Sequence, residues 1–342
     1  RQVGKTTLLK QWMRNLVADH KPKEAVAYFT GELIGDHHAL VVLLQEHLKN
    51  AKVRNPVIIV DEVTYIKDWD KGVKFLADAG DLKEVVLMLT GSDSVLIQEA
   101  RMRLPGRRGT GDIVDFHLYP LGFGEFVALK RKRSPDDADD ERLGTDFEEY
   151  LVHGGFLTAI NDYARKRTVP LATLRVYSDW IRGDVVKRGK SEHNLRAVVG
   201  ALLHRYGSQL TWNALAQDLP IDHPQTIHDY VQLLQSLDVV FIQDALDEGK
   251  LRGAPKKARK VHFCDPFIHH ALSWWMAGGT PGWEKLHEDP AFSGQLVESV
   301  VATHFSRRYP TFYIKAEGEV DVAYVADHRF HPIEIKWSNQ IR

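Results

Sequence analysis

Val57-Ile58-Ile59-Val60-Asp61-Glu62 is a short β-branched run closed by two carboxylates, and it follows a chain opening of Arg1-Gln2-Val3-Gly4-Lys5-Thr6-Thr7. The apolar run suits a strand buried on both faces, because neither alternating set of side chains offers water a polar surface. Gly4-Lys5-Thr6 is the second half of the phosphate loop G-x-x-x-x-G-K-[ST]. In that loop glycine lets the backbone wrap a phosphate, and the helix that follows aims its free N–H groups at it. The lysine brings a point charge to the β- and γ-phosphates, and the threonine hydroxyl ligates Mg²⁺. The motif's first glycine would lie two residues before Arg1, outside this sequence. Alone, Gly-Lys-[Ser/Thr] arises by chance in about one chain of this length in six. The acidic strand end changes that weighting. Asp61 is placed to hold magnesium through water, and Glu62 to orient or deprotonate an attacking water. Both motifs, in this order and at a βαβ separation, predict a site for ATP and Mg²⁺ formed by Val3, Gly4, Lys5, Thr6 and Thr7 with Asp61 and Glu62.

Outward from these motifs, Leu8, Leu9, Trp12, Met13 and Leu16 recur at helical spacing and predict a helix over Thr6–Val17. A second apolar face runs from Leu40 to Leu48. Val85-Val86-Leu87-Met88-Leu89 predicts another buried strand, ending at Thr90-Gly91-Ser92. Strands separated by helices imply a parallel sheet and an α/β domain. Ligands of such sheets sit beyond the carboxyl ends of the strands, so Thr90 or Ser92 is placed to contact a γ-phosphate or the lytic water. Leu104-Pro105-Gly106-Arg107-Arg108-Gly109 puts two arginines on a turn, which reads either as an exposed basic turn or as candidate fingers for a neighbour's nucleotide in a homo-oligomer, Arg107 first among them.

The 342 residues suggest two or three domains at roughly 100–200 residues each. Hydrophobic residues at 44% against 27% charged supply a sizeable core and exclude a disordered or fibrous chain. Lys and Arg total 45 against 46 acidic residues, so nucleic acid can be bound only through a local patch. The single cysteine, Cys264, excludes a disulfide framework and a four-thiolate zinc site. No apolar run approaches the roughly 20 residues that span a bilayer, and no signal-peptide pattern is present. A cytoplasmic protein without a membrane partner is the expectation.

After Leu121-Gly122-Phe123 the composition shifts. Lys130-Arg131-Lys132-Arg133 and then Ser134 to Glu141 form a block of positive and then negative charge, read as a solvated loop. Phe147 to Gly189 reads as helical, broken at Gly154-Gly155. Within 191–263, helices are expected at Leu195–Leu203, from Thr211 to Leu219, and at Gln225–Leu237. Strands at Val239–Ile242 and Val261–Phe263 flank a loop holding Lys250, Arg252, Lys256, Lys257, Arg259 and Lys260. Three helices followed by a hairpin with a basic tip is the layout of a winged helix-turn-helix, a module that binds double-stranded DNA. A helix over Gly294–Phe305 and strands at Thr311–Lys315, Val320–Val325 and Pro332–Trp337 complete the chain. Alternation puts Glu334 and Lys336 on one strand face, with Asp321 on a neighbouring strand. Twelve residues separate Asp321 from Glu334-Ile335-Lys336, which matches the PD-(D/E)xK nuclease pattern, with Glu298 a possible extra ligand for Mg²⁺. The competing reading is a strand with ordinary outward charges, or a once-catalytic fold now used for docking. Cys264, Asp265, His269 and His270 read as a lone buried cysteine near a strand end rather than a metal cluster. His37-His38 reads as a loop pair, and Trp274-Trp275 as core or interface packing.

Gln2-Val3-Gly4-Lys5-Thr6-Thr7, Val60-Asp61-Glu62, Leu89-Thr90-Gly91-Ser92, Leu104-Pro105-Gly106-Arg107 and Leu118-Tyr119-Pro120-Leu121-Gly122-Phe123-Gly124-Glu125 occur in an order that resembles the prokaryotic AAA-type ATPases carrying a C-terminal DUF4143 region. Tyr150-Leu151-Val152-His153-Gly154-Gly155-Phe156 and Lys260-Val261-His262-Phe263-Cys264-Asp265-Pro266 extend the likeness over nearly the whole chain. The resemblance implies an ATP-hydrolysing core at 1–128, a charged loop and lid-like helices at 129–190, a winged helix at 191–263 and a restriction-endonuclease-like α/β domain at 264–342. Two departures stand out. The family's loop begins with a strand and Gly-Pro-Arg, whereas this sequence starts at the arginine, and the family continues beyond Lys336. The expected function is an ATPase whose nucleotide state controls a winged-helix and nuclease-like region contacting DNA. The alternative is an ATP-gated protein-interaction switch with an inert tail.

Overall fold

The computed structural model describes residues 2–109, 111–131, 140–221, 223–278, 282–286, 288–315 and 318–337. Most of the charged block expected as a loop, residues 132–139, lies outside them. The chain divides into two compact units, Arg1–Leu118 and Tyr119–Arg342.

In the first unit, α1 (Lys5–Ala18) is followed by β1 (Val26–Thr30), α2 (His37–Ala51), β2 (Val57–Asp61), α3 (Trp69–Ala79), β3 (Val86–Leu89) and α4 (Ser94–Arg103). The strands form a parallel sheet in the order β1-β2-β3. Every residue of β2 is buried. Ile58 and Val60 belong to a core with Leu40, Leu44, Val73 and Leu76 of α2 and α3. Val57 and Ile59 belong to a second core with Leu9, Trp12, Met13 and Leu16 of α1. Helices thus cover both faces, and each large apolar side chain so buried contributes about 1.5–3 kcal/mol. β3 departs from the expected fully buried strand: Val86 is 49% exposed and the rest of the strand only half-buried. The cause is its place at the edge of the sheet, with one pairing partner among the described residues.

The second unit begins with α5 (Phe123–Arg131), α6 (Asp140–His153), α7 (Leu157–Lys166), α8 (Leu171–Lys187) and α9 (Glu192–His204). Next come α10 (Trp212–Asp218), α11 (Pro224–Ser236), β4 (Val240–Asp244), β5 (Leu246–Asp247), β6 (Arg252–Gly253) and β7 (Arg259–Phe263). The last elements are α12 (Pro266–Ala277), α13 (Pro290–Ser306), β8 (Thr311–Lys315), β9 (Glu319–Ala326) and β10 (Arg329–Ile333). Helix α12 is the centre of this unit. Phe267, Ile268, Ala271 and Leu272 are fully buried, and Phe267 meets Tyr177 of α8 edge-on at 4.8 Å.

Its position is set by the Gly154-Gly155 break. Gly154 has φ +59°, and a Cβ there would lie 1.7 Å from Asp265 Oδ1. With no side chain in the way, Asp265 accepts from the Gly155 N–H at 2.8 Å and caps α12 by accepting from the Phe267 N–H at 2.9 Å.

Within 191–263, the side chains of Ser191 and Thr211 cap α9 and α10. β4 and β7 pair antiparallel, and Leu210 adds a short bridge to Arg259. The terminal sheet is antiparallel in the order β10-β9-β8. β10 ends at Ile333, four residues before the expected Trp337. Pro332 has no N–H to give a ladder, and the Ile335 N–H donates to the Asp321 carboxylate at 3.0 Å instead of to a strand. Among the described residues no helix is long and apolar enough to cross a membrane.

Candidate functional site

Gly4, in the left-handed region at φ +91°, turns the chain into α1, and no side chain caps that helix. The free N–H groups of its first turn therefore remain available to an anion. The same turn brings Thr6 to the end of β2, where its hydroxyl donates to Asp61 Oδ2 at 2.6 Å. Tyr28 of β1 donates to that oxygen at 2.8 Å, and Thr90, just past β3, donates to Oδ1. Parallel register explains the convergence: Thr30 pairs with Asp61 and Leu89 with Val60, so all three strands end together. Asp61 is 2% exposed. Burial pushes its carboxyl up, but the three hydroxyls and the Lys5 charge outweigh that and hold it below the usual range.

Glu62 follows with φ +55°, which turns its side chain away from the strand direction. Ser92 donates to Glu62 Oε1 at 2.5 Å and accepts from Lys5 Nζ at 3.2 Å, while Lys5 lies 3.8 Å from the same carboxylate oxygen. Glu62 Oε2 is buried and has no hydrogen-bond partner among the described residues. Lys5, Thr6, Asp61, Glu62 and Ser92 therefore share one cluster with Thr90. Arg107 is held elsewhere, its guanidinium donating to Asp78 of α3 at 2.5 Å and to the Pro105 carbonyl at 3.0 Å. Reading the sequence missed Tyr28, because strand order and register, which put its hydroxyl on Asp61, are not visible one residue at a time.

The expected nuclease residues fare differently. Glu298 of α13 and Asp321 of β9 do converge, but on Lys260 of β7: the ammonium lies 2.7 Å from Glu298 and 4.0 Å from Asp321, and it also contacts Glu319 at 2.5 Å. Lys260 is 2% exposed, so it does not belong to the basic hairpin tip in which the sequence placed it. Glu334 and Lys336 are exposed beyond the end of β10, off any strand face. Arg259 is likewise occupied, its guanidinium 4.8 Å from the Trp212 ring and donating to the Pro255 and Lys257 carbonyls.

Among the described residues no group of three His, Cys, Asp or Glu side chains is arranged to hold a metal ion. His270 bonds to the Leu151 carbonyl, and Cys264 is half-buried rather than buried. His37 begins α2 instead of lying in a loop, its ring against that of His38. Trp274 and Trp275 are half-buried, with Arg175 over the first ring and Arg182 and Arg196 over the second.

An uncapped helix behind a left-handed glycine, joined through a threonine to a strand-end aspartate, is the arrangement of a phosphate-binding loop. Residues 1–127 match the AAA domain family. The matched region thus spans the whole Lys5–Asp61–Glu62–Ser92 cluster. Residues 144–278 match a domain of unknown function, DUF8612, a different family from the DUF4143 region that the sequence resembled. The uncharacterized protein MJ1544 of Methanocaldococcus jannaschii is 25% identical over 198 residues, 54% of this chain and 42% of that protein. The chain thus matches less than half the length of that curated relative. Among solved structures, the Aeropyrum pernix ORC1 protein in complex with DNA covers 80% of this chain and 84% of its own at 13% identity, with a TM-score of 0.36.

Proposed function

We propose that the first unit binds ATP with Mg²⁺ and hydrolyses it, and that the nucleotide state controls a contact between residues 191–263 and duplex DNA. The observation that carries the first half is the joining of Lys5, Thr6, Asp61, Glu62 and Ser92 by hydrogen bonds and one ion pair at the end of a parallel sheet. The donor set suits the ligands. Lys5 and the open N-terminus of α1 favour a polyphosphate, and Thr6 and Asp61 offer a hydroxyl and a carboxylate to a hard cation. Mg²⁺ is ordinarily held by one or two such oxygens together with phosphates and waters, so a site without three converging side-chain ligands fits it. Bound there, the ion would neutralise charge on the β- and γ-phosphates. Glu62 has an unpaired oxygen with which to accept a proton from water. Ser92 holds that carboxylate in position and is placed to contact the γ-phosphate.

Replacing Glu62 with Gln is expected to lower ATP turnover at least 100-fold, on the scale of a lost general base, while binding of a fluorescent ATP analogue persists. Replacing Lys5 with Ala should weaken that binding itself. Unchanged hydrolysis in Glu62→Gln would remove Glu62 from the reaction, and a wild-type protein that binds no analogue would end the proposal.

The second half rests on charge. Residues 191–263 have the helix order and antiparallel hairpin of a winged helix, and the exposed cations Lys250, Arg252, Lys256 and Lys257 lie on the hairpin loop. Helix α11, in the recognition position, carries no Lys or Arg. Such a surface grips phosphates through the loop and reads little sequence. Alanine at all four cations is expected to weaken duplex binding by at least 10-fold and to flatten its salt dependence, since each lost phosphate contact removes about 0.9 from the slope. Binding that is absent or indifferent to salt would favour the ATP-gated protein-interaction switch.

We read the nuclease-like residues Glu298, Asp321, Glu334 and Lys336 as inert. An internal ammonium stands among the carboxylates, and the motif lysine lies off the strand.

A further inference from the structure

We propose that Tyr28 is a positioning residue that fixes the Asp61 carboxylate for the metal, so that it tunes Mg²⁺ affinity without touching the nucleotide. The inference rests on the ATP-site reading above.

An ionised carboxylate has about four lone-pair positions. Three of them at Asp61 are filled, two on Oδ2 by Thr6 and Tyr28 and one on Oδ1 by Thr90. This leaves one direction for a metal-bound water and prevents the group from rotating. Thr6 can keep donating to Asp61 while its own lone pair faces a cation. Thr90 is committed twice, since it also accepts from the Glu62 N–H at 3.2 Å. Tyr28 is the donor with no other task in the site. Its ring packs in the core formed by Leu9, Trp12 and Met13, and Lys10 lies 5.8 Å above it. The helix that carries Lys5 and Thr6 thus also sets the direction of the tyrosine. Such outer partners of metal-site carboxylates typically alter metal affinity or activity 10–100-fold when removed.

Tyr28→Phe keeps the ring and its packing and removes only the donor. The test is titration of a fluorescent ATP analogue with and without MgCl₂, on wild type and variant. The expected result is unchanged affinity without metal and an MgCl₂ requirement raised about 10-fold in the variant. Two outcomes overturn the proposal while sparing the ATP site: an identical MgCl₂ requirement, or affinities that fall equally with and without metal, the mark of a merely structural role. A wild-type protein that binds no analogue overturns both the ATP reading and this one.

Discussion

Lys260→Met destabilises the second unit by about 3–5 kcal/mol, the cost of leaving a buried carboxylate group without its cation. Lys260 is 2% exposed and joins β7 to Glu298 of α13 and to Glu319 and Asp321 of β9. Burial alone would push its ammonium down, but Glu298 and Glu319 outweigh it and raise the pKa. Glu298 is raised by burial, and Lys260 is the main influence opposing that rise. Methionine fills the volume of the lysine stem but leaves Glu298 to carry its charge alone or to take up a proton. The double variant Lys260→Met with Glu298→Gln should recover a substantial part of the loss, because the uncompensated charge is then gone. Urea unfolding at neutral pH measures both. A single variant within about 1 kcal/mol of wild type would mean that the cluster is hydrated and held by little more than surface pairing.

Acidification to about pH 4.5 is expected to unfold the second unit. His262 and His304 are pushed down to about 3 by burial, with Lys260 and Arg307 adding to the effect respectively. Burial pushes His270 down to about 4, against the hydrogen bond to Leu151. The unfolded chain binds protons at these histidines below about pH 6.5 and the native chain does not, so stability falls as pH drops through that value. At pH 4.5 each costs about 2–3 kcal/mol, and the three together about 8 kcal/mol. Asp265 works in the opposite sense. Burial raises its carboxyl to about 7, so the fold takes up that proton before the unfolded chain does and recovers about 3 kcal/mol over the same interval. For these four groups the balance is a loss of about 5 kcal/mol, the lower end of an ordinary domain's stability. His269 and His153, which burial pushes down, add to it, and Glu298 and Asp244, which burial pushes up, oppose it. His304→Phe should move the acid midpoint downward. It deletes one proton acceptor and leaves Tyr150, which donates to the Leu121 carbonyl at 2.8 Å, with a partner. Circular dichroism against pH on both proteins provides the check. An unfolding free energy that is flat from pH 7 to 4.5 would contradict the argument.

Local chemistry alone determined much of the first unit. The unbroken apolar run Val57–Val60, with no polar face, required a central strand, and the two carboxylates marked its polar end. Gly4-Lys5-Thr6 specified the turn into α1, since a left-handed residue before an uncapped helix is a local requirement. Tertiary structure decided which distant side chains would meet. The hydroxyl of Tyr28 reaches Asp61 because β1 lies beside β2 in a register that pairs Thr30 with Asp61. Lys260 looked like one more cation in a basic loop, yet in β7 it alternates inward onto Glu298, whereas Glu334 and Lys336 fall past the strand meant to present them. A charge pattern along the chain records which residues are ionised. Whether they line a site, neutralise one another or face water depends on strand pairing and burial, which arise only when remote segments pack.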